Sequence, residues 1–378
     1  MSDPAPVPEH VPSQREIDKF FTAAWKNGAS DLHIKVAEPP MFRIRGSIVR
    51  AKTPPLTFEQ VRSLLFEIMG PKEKKELEDL GGADFAYGVK GVGRFRVNVF
   101  KQRGSLSLAA RAVKTEIPTI EQLNLPAGVK VIPTYESGIV LVAGVTGSGK
   151  STTLAALIQI INLNEALHVI TLENPIEYLY TDAKAFINQR EIGLDTPDFQ
   201  NALRHALRQD PDVILVGEMR DPETFEAALM AAETGHLVFG TIHTGSAAQT
   251  IGRVLDFFPP ERHHQIRQLL YFNLRAVVVQ KLLKGLRPDI PRVPAIELMI
   301  VNPLIKKMIF DNEDKKIPDA IRAGKLEGMQ DFNMSLCDLV KRGLISEQAA
   351  LESSPNAEQL SMNLKGITLG SDRGSISG

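Results

Sequence analysis

The chain has 378 residues, 43% hydrophobic and 24% charged, which suffices for a sizeable core and, at roughly 150 residues each, for two or three domains. Lys and Arg total 44 against 45 Asp and Glu, a formal net charge of −1 that excludes coating nucleic acid by bulk positive charge, so no nucleic-acid partner is expected. The single cysteine, Cys337, excludes an intramolecular disulfide and a cysteine-rich zinc site, no apolar run approaches the ~18 residues of a membrane span, and the N-terminus lacks the pattern of a signal peptide; a cytoplasmic protein is expected.

Residues 1–12 hold four prolines and little that packs, and read as a disordered lead-in. Ser13 and Glu16 then form a capping box before a helix with Ile17, Phe20, Phe21 and Ala24 on one face, stopped at Gly28. Alternating residues around Leu32, Ile34 and Val36, and again over Met41 to Val49, predict a strand and a hairpin. Thr57 and Gln60 cap a helix, and strands follow near 83–89, 93–100 and 105–113, so residues 13–113 make a small α+β domain with a mainly antiparallel sheet. Prolines 118, 126 and 133 mark 114–134 as a linker.

From Gly138 the rhythm changes. Apolar runs at 139–143, 169–172, 213–216 and 237–242 alternate with helical stretches, the pattern of a mainly parallel sheet covered on both faces, in a second domain spanning 135–352. Helices are expected from about Pro260 to Leu283 and from Pro303 onward, with a strand at 293–298, and 353–378 reads as a mostly disordered tail.

One segment carries strong chemistry. Gly144-Val145-Thr146-Gly147-Ser148-Gly149-Lys150-Ser151 is a complete G-x-x-x-x-G-K-[ST] between an apolar strand and the helix KSTTLAALIQII, so Gly144, Thr146, Gly147, Ser148, Gly149, Lys150, Ser151 and Thr152 are expected to hold the phosphates of ATP, with Ser151 on Mg2+. The apolar run Asp212 to Val216 ends in Gly217-Glu218, which makes Glu218 the acid for the metal's water shell or the attacking water. After 169–172 come Glu173-Asn174-Pro175-Ile176-Glu177; if that strand neighbours the phosphate-loop strand, Glu177 is the candidate general base and Glu173 a supporting acid. His243, at the carboxyl end of the next strand, is a candidate sensor of phosphate or catalytic glutamate, and His236, at the amino end, a buried hydrogen-bonding or subunit-contact residue. Arg94 and Arg96 share one face of a strand with Arg111 on the next, a pattern that suits polyphosphate and equally a solvated face.

Together these segments resemble the type II/IV secretion ATPases that drive type IV pili, and more narrowly the pilus retraction, or twitching motility, ATPases. The match runs from GASDLH (28–33) to GMQDFNMSL (328–336), with ITLENPIEY (170–178) similar to the family's Asp box, RQDPDVILVGEMRDPET (208–224) to its Walker B region and AAETGHLVFGTIHT (231–244) to its His box. The resemblance implies an N-terminal PAS-like domain and a RecA-like ATPase domain with a helical C-terminal part, arranged as a homohexamer that works against an inner-membrane pilus platform protein and admits a second retraction ATPase beside it. It implies that Arg94, Arg96 and Arg111 approach nucleotide phosphates, that Glu177 is the catalytic glutamate and Glu218 the Walker B glutamate, and that His236 and His243 form the His-box pair. Two positions depart from the family: Asn174 stands where Asp is usual, and Leu304 to Asp311 replaces the usual AIRNLIRE. The alternatives are an accessory retraction subunit, a pilus-assembly or type II secretion ATPase, which usually adds an N-terminal domain and a four-cysteine zinc module, and a DNA-translocating motor, which the balanced charge disfavours.

Overall fold

The computed structural model describes residues 15–44 and 46–366, and it divides into two compact units at Thr115/Glu116. The first unit begins with α1 (Asp18–Lys26), which buries Phe20, Phe21 and Ala24; Ser13 of the expected capping pair lies outside the described residues. Then come β1 (Asp31–Lys35), β2 (Met41–Ile44), β3 (Ser47–Arg50), α2 (Phe58–Ile68), α3 (Pro71–Leu80), β4 (Gly82–Val89), β5 (Gly93–Gln102) and β6 (Ser105–Ala112). Thr57 and Gln60 make the capping box expected of α2, each side chain bonding the other's backbone N–H. The six strands form one antiparallel sheet in the order β3-β2-β1-β6-β5-β4.

Strict alternation gives that sheet two different faces. Leu32, Ile34, Phe95, Val97, Val99, Leu108 and Ala110 pack with Phe21 of α1, Leu64 and Leu65 of α2 and Leu77 of α3 in one core. The opposite face is charged. Asp31 stands directly across from Arg43 on one side and Arg111 on the other, and Arg111 in turn faces Arg96.

In the second unit the elements run β7 (Gly138–Ala143), α4 (Lys150–Asn164), β8 (His168–Glu173), β9 (Phe186–Glu191), α5 (Phe199–Ala206), β10 (Val213–Val216), α6 (Pro222–Glu233), β11 (Leu237–Ile242), α7 (Ala247–Leu255), α8 (His263–Asn273), β12 (Leu274–Arg287) and β13 (Ile290–Ile300). Five helices close the described chain: α9 (Pro303–Phe310), α10 (Ile317–Ala323), α11 (Phe332–Lys341), α12 (Glu347–Ser353) and α13 (Ala357–Leu364). The sheet order is β13-β12-β7-β11-β10-β8-β9, parallel throughout except for the antiparallel edge pair β12 and β13.

Here the central strands β7, β10 and β11 are buried on both faces, while the edge strand β9 stays partly exposed. In β7, Ile139, Leu141 and Ala143 join the core that holds α5 to α8 and the C-terminal helices, while Val140 and Val142 join the core that holds α4. Strands β10 and β11 divide their residues the same way, which is why they read as unbroken apolar runs. All strands of the parallel set therefore end at one edge, and the loops that leave that edge converge.

Three expectations are corrected. Residues 116–134 are not a free linker: Ile120, Leu125, Val129 and Ile132 are buried in the second unit's core, and Pro133 sits inside a 3-10 helix (Ala127–Thr134) rather than ending an ordered segment. Helix α8 stops at Asn273 and β12 begins, because the apolar run that follows is a strand buried on two faces. The tail from 353 carries α13, capped by Asn356 and anchored by buried Leu360; the rest of the expected disorder, at 1–12 and 367–378, lies outside the described residues. Among the described residues no helix is long and apolar enough to cross a membrane.

Candidate functional site

The glycine-rich loop leaves β7 at the carboxyl edge of the sheet and runs into the N-terminus of α4. Two of its glycines make close approaches that a side chain would block. Gly144 has φ 141°, and a Cβ there would lie 2.5 Å from the Gln280 carbonyl oxygen; Gly149, with φ 92°, would bring one to 2.9 Å from the Gln280 side-chain nitrogen. The loop thus wraps closely enough to present its N–H groups together at the positive end of the α4 dipole, where an anion is favoured. Thr146, Gly147 and Ser151 are exposed there, whereas Ser148 is buried and its hydroxyl has no hydrogen-bond partner within the chain.

Lys150 curls over the loop, its Nζ donating to the carbonyl oxygens of Gly144 at 2.8 Å and Val145 at 3.1 Å. Burial pushes the pKa of this ammonium down, and the nearby Glu218 carboxylate opposes that shift. A half-buried cation held only by carbonyl dipoles, with an acid close by, is suited to release those carbonyls for phosphate oxygens.

Glu218 follows β10, in a turn tied down from two sides. Gly217 donates its N–H to the Leu172 carbonyl at 2.7 Å, and the Thr241 hydroxyl donates to the Gly217 carbonyl at 2.5 Å. A side chain at 217 would place its Cβ 3.0 Å from the Leu172 oxygen, a close approach that favours glycine there. The Glu218 carboxylate pairs with His243 Nε2 at 2.7 Å and with the Arg220 guanidinium. Burial raises its pKa, but the hydrogen bonds from Arg220 and His243 outweigh burial and hold it below the usual carboxylate value. It is an ionised acid.

The acidic loop arrives by a different route from the one expected. Strand β8 does not neighbour β7; β11 and β10 stand between them, a separation of about 14 Å at ~4.8 Å per strand. The loop after β8 folds back instead, and the Tyr178 hydroxyl meets Thr152 Oγ1 at 2.9 Å in the first turn of α4. Glu177, next to Tyr178, is exposed. Glu173 is enclosed: its carboxylate accepts from Thr171 Oγ1 at 2.7 Å and Gln189 Nε2 at 3.3 Å. Burial pushes its pKa up against the pull of those donors and of the Glu177 backbone N–H, and the Glu177 charge pushes the same way as burial. Two acids four residues apart thus differ in setting, Glu173 confined by Thr171 and Gln189 and Glu177 exposed to solvent.

His236 does not join this cluster within the unit. It lies at the amino end of β11, about 20 Å along the strand from His243, with Nδ1 bonded to the Ala231 carbonyl at 2.9 Å and to Thr234 Oγ1 at 3.2 Å. In the first unit, Arg111 donates from Nε to Asp31 at 2.9 Å, Arg96 is exposed, and Arg94 is half-buried. Neutral side chains at the second unit's site escaped sequence reasoning: Gln280 and Gln189 lie in no motif, while Thr171 and Tyr178 lie inside ITLENPIEY and Arg220 inside RQDPDVILVGEMRDPET without a charge or spacing that assigns them a role.

Residues 108–323 match the sequence family described as Type II/IV secretion system protein. The chain is 44% identical over 339 residues to the type IV pilus retraction ATPase PilT of Pseudomonas aeruginosa, covering 90% of this chain and 98% of that one. It is 37% identical to the type IV pilus ATPase PilU of the same organism, over 93% of this chain and 91% of that one. Among solved structures, the pilus retraction motor PilT with bound ADP superposes with a TM-score of 0.83 at 44% identity, covering 92% of this chain and 99% of that one.

Proposed function

This chain belongs to the type II/IV secretion system protein family, and on that premise we propose that it is an ATP-hydrolysing motor for type IV pilus retraction, acting as a homohexamer in the cytoplasm against an inner-membrane pilus platform. The observation that carries the proposal is the meeting, at one sheet edge, of the glycine-rich loop with its half-buried Lys150, the ionised Glu218 with His243, and a loop holding Glu177 fastened to α4 by Tyr178 and Thr152. The relatives' names, a retraction ATPase and a retraction motor crystallised with ADP, support the same reading.

The donor set fits both nucleotide and Mg2+. The wrapped loop and the N-terminus of α4 suit a polyphosphate. Among the described residues no three His, Cys, Asp or Glu side chains gather to hold a metal by themselves, and the exposed Ser151 hydroxyl together with the Glu218 carboxylate offers the few hard oxygens that a magnesium ion shared with phosphates and water requires. When bound, Mg2+ would offset the negative charge of the terminal phosphates.

The chain's own residues then divide the work. Lys150 leaves the Gly144 and Val145 carbonyls and takes up phosphate oxygens; the loop N–H groups fix the β-phosphate; Glu218 orders water around Ser151; and Glu177, exposed and ionisable, accepts the proton of the attacking water. His243 holds Glu218 in one orientation. Glu173, enclosed by Thr171 and Gln189, shapes the loop that carries Glu177. For Arg94, Arg96 and Arg111 the proposed role is to neutralise phosphate charge, and the family likeness supports it. Phosphate release by wild type and Lys150→Ala, with the mass of the assembly measured alongside, tests the reading: a hexamer that hydrolyses ATP, and a variant that does not, supports it. A wild-type ring that binds ATP without ever releasing phosphate would leave the chain an accessory subunit.

A further inference from the structure

We infer that Gln280, a neutral side chain from β12 with no part in the chemistry, is the residue that sets the phosphate loop in its binding conformation. The inference rests on the nucleotide-binding reading above and deepens it. Gln280 is 2% exposed and sits on the strand beside β7, where Val279 pairs with Ala143, the last residue before the loop. Its side-chain Nε2 donates to the Ser148 carbonyl in the loop, and its Oε1 accepts from Thr153 Oγ1 at 2.8 Å in the first turn of α4. One amide thus ties the loop to the helix that follows it, and both of its ends are used.

The glycines of the loop record the same contact. A Cβ at Gly144 or Gly149 would collide with Gln280, with its backbone oxygen in the first case and its side-chain nitrogen in the second, so the loop is shaped around this residue. Fixing the Ser148 carbonyl away from the ligand turns the neighbouring N–H groups the other way, toward the anion. Without the amide, the buried Ser148 carbonyl and Thr153 hydroxyl lose their partner, and a loop free to sample other conformations binds phosphate more weakly in proportion to the time spent outside the competent one. Gln280 is therefore a positioning residue, acting through the loop.

The test is titration of the full-length protein with ADP, together with the melting temperature of the nucleotide-free protein and the KM and kcat for ATP. Gln280→Met keeps volume and removes both bonds; it is expected to weaken ADP binding about tenfold and raise KM by a similar factor, with kcat changed less. Thr153→Val removes one bond and is expected to weaken binding by a smaller factor, and the double variant is expected to be no worse than Gln280→Met alone. Gln280→Glu, which retains the acceptor for Thr153 but sets a carboxylate against the Ser148 carbonyl, should not rescue. Wild-type affinity in Gln280→Met, with or without a lowered melting temperature, or additive losses in the double variant, would overturn the inference while leaving the nucleotide reading intact. Failure of the wild type itself to bind ADP would overturn both.

Discussion

The two sheets of this protein solve the problem of burial in opposite ways. The six-stranded antiparallel sheet buries one face, on which Val97 and Val99 pack, and leaves Arg96 and Arg111 on the other. The seven-stranded sheet buries both along its central strands, so that within β7 Leu141 and Val142 enter separate cores. A sheet closed on both faces has no free surface on which to build a site, and its chemistry is confined to the edge where the parallel strands end. That is where Lys150, Glu218 and the loop fastened by Tyr178 are found. The one-sided sheet can carry charge across its whole open face.

This contrast can be broken or sharpened by substitution. At the edge, Lys150→Ala should lower phosphate release by at least about 100-fold, because no other cation of the loop takes the phosphates, while the melting temperature of the nucleotide-free protein moves little. Within the doubly buried sheet, Phe239→Ala should cost about 3–5 kcal/mol in denaturant unfolding, since its ring is fully enclosed.

On the open face the effects are smaller and depend on pH. Burial raises the Asp31 pKa, but hydrogen bonds from Ser30 and Arg111 outweigh it and hold the carboxyl below its ordinary value. Its ionisation therefore stabilises the fold above the unfolded carboxylate pKa of about 4, and that contribution is lost as pH falls through the lowered folded value. Asp31→Asn should cost about 1 kcal/mol at neutral pH, a deficit that shrinks in melts taken below pH ~4. Arg96→Ala, on the same exposed face, should shift stability by no more than about 0.5 kcal/mol, whatever it does to turnover.

How much of this was legible in the sequence follows from the same contrast. Alternation on β5, with Phe95, Val97 and Val99 against Arg94 and Arg96, announces a half-buried strand, and Thr57 with Gln60 announces a helix start; both were readable and both are present. A strand buried on two sides has no alternation to read, so β12 passed for the continuation of a helix, its run of Ala276 to Val279 lacking any period that tells strand from helix. Prolines at 126 and 133 suggested a linker because proline ends an α-helix, yet the 3-10 turn around them keeps Val129 and Ile132 in the core. At the site, the charged and glycine positions had motif spacing that singled them out. The route of the loop that carries Glu177 differs from the expected one: β8 does not neighbour β7, and the Tyr178 hydroxyl on Thr152 ties this loop to α4. Gln280 and Gln189 stayed hidden because a neutral amide gains its meaning only from what the fold puts beside it.

The role given to Glu177 is tested most directly by single-turnover hydrolysis in Glu177→Gln, measured together with its affinity for ATP. Removal of the proton acceptor alone should slow bond cleavage at least about 100-fold and leave ATP affinity within about twofold of wild type. Cleavage at the wild-type rate, or affinity falling as far as cleavage does, would contradict it.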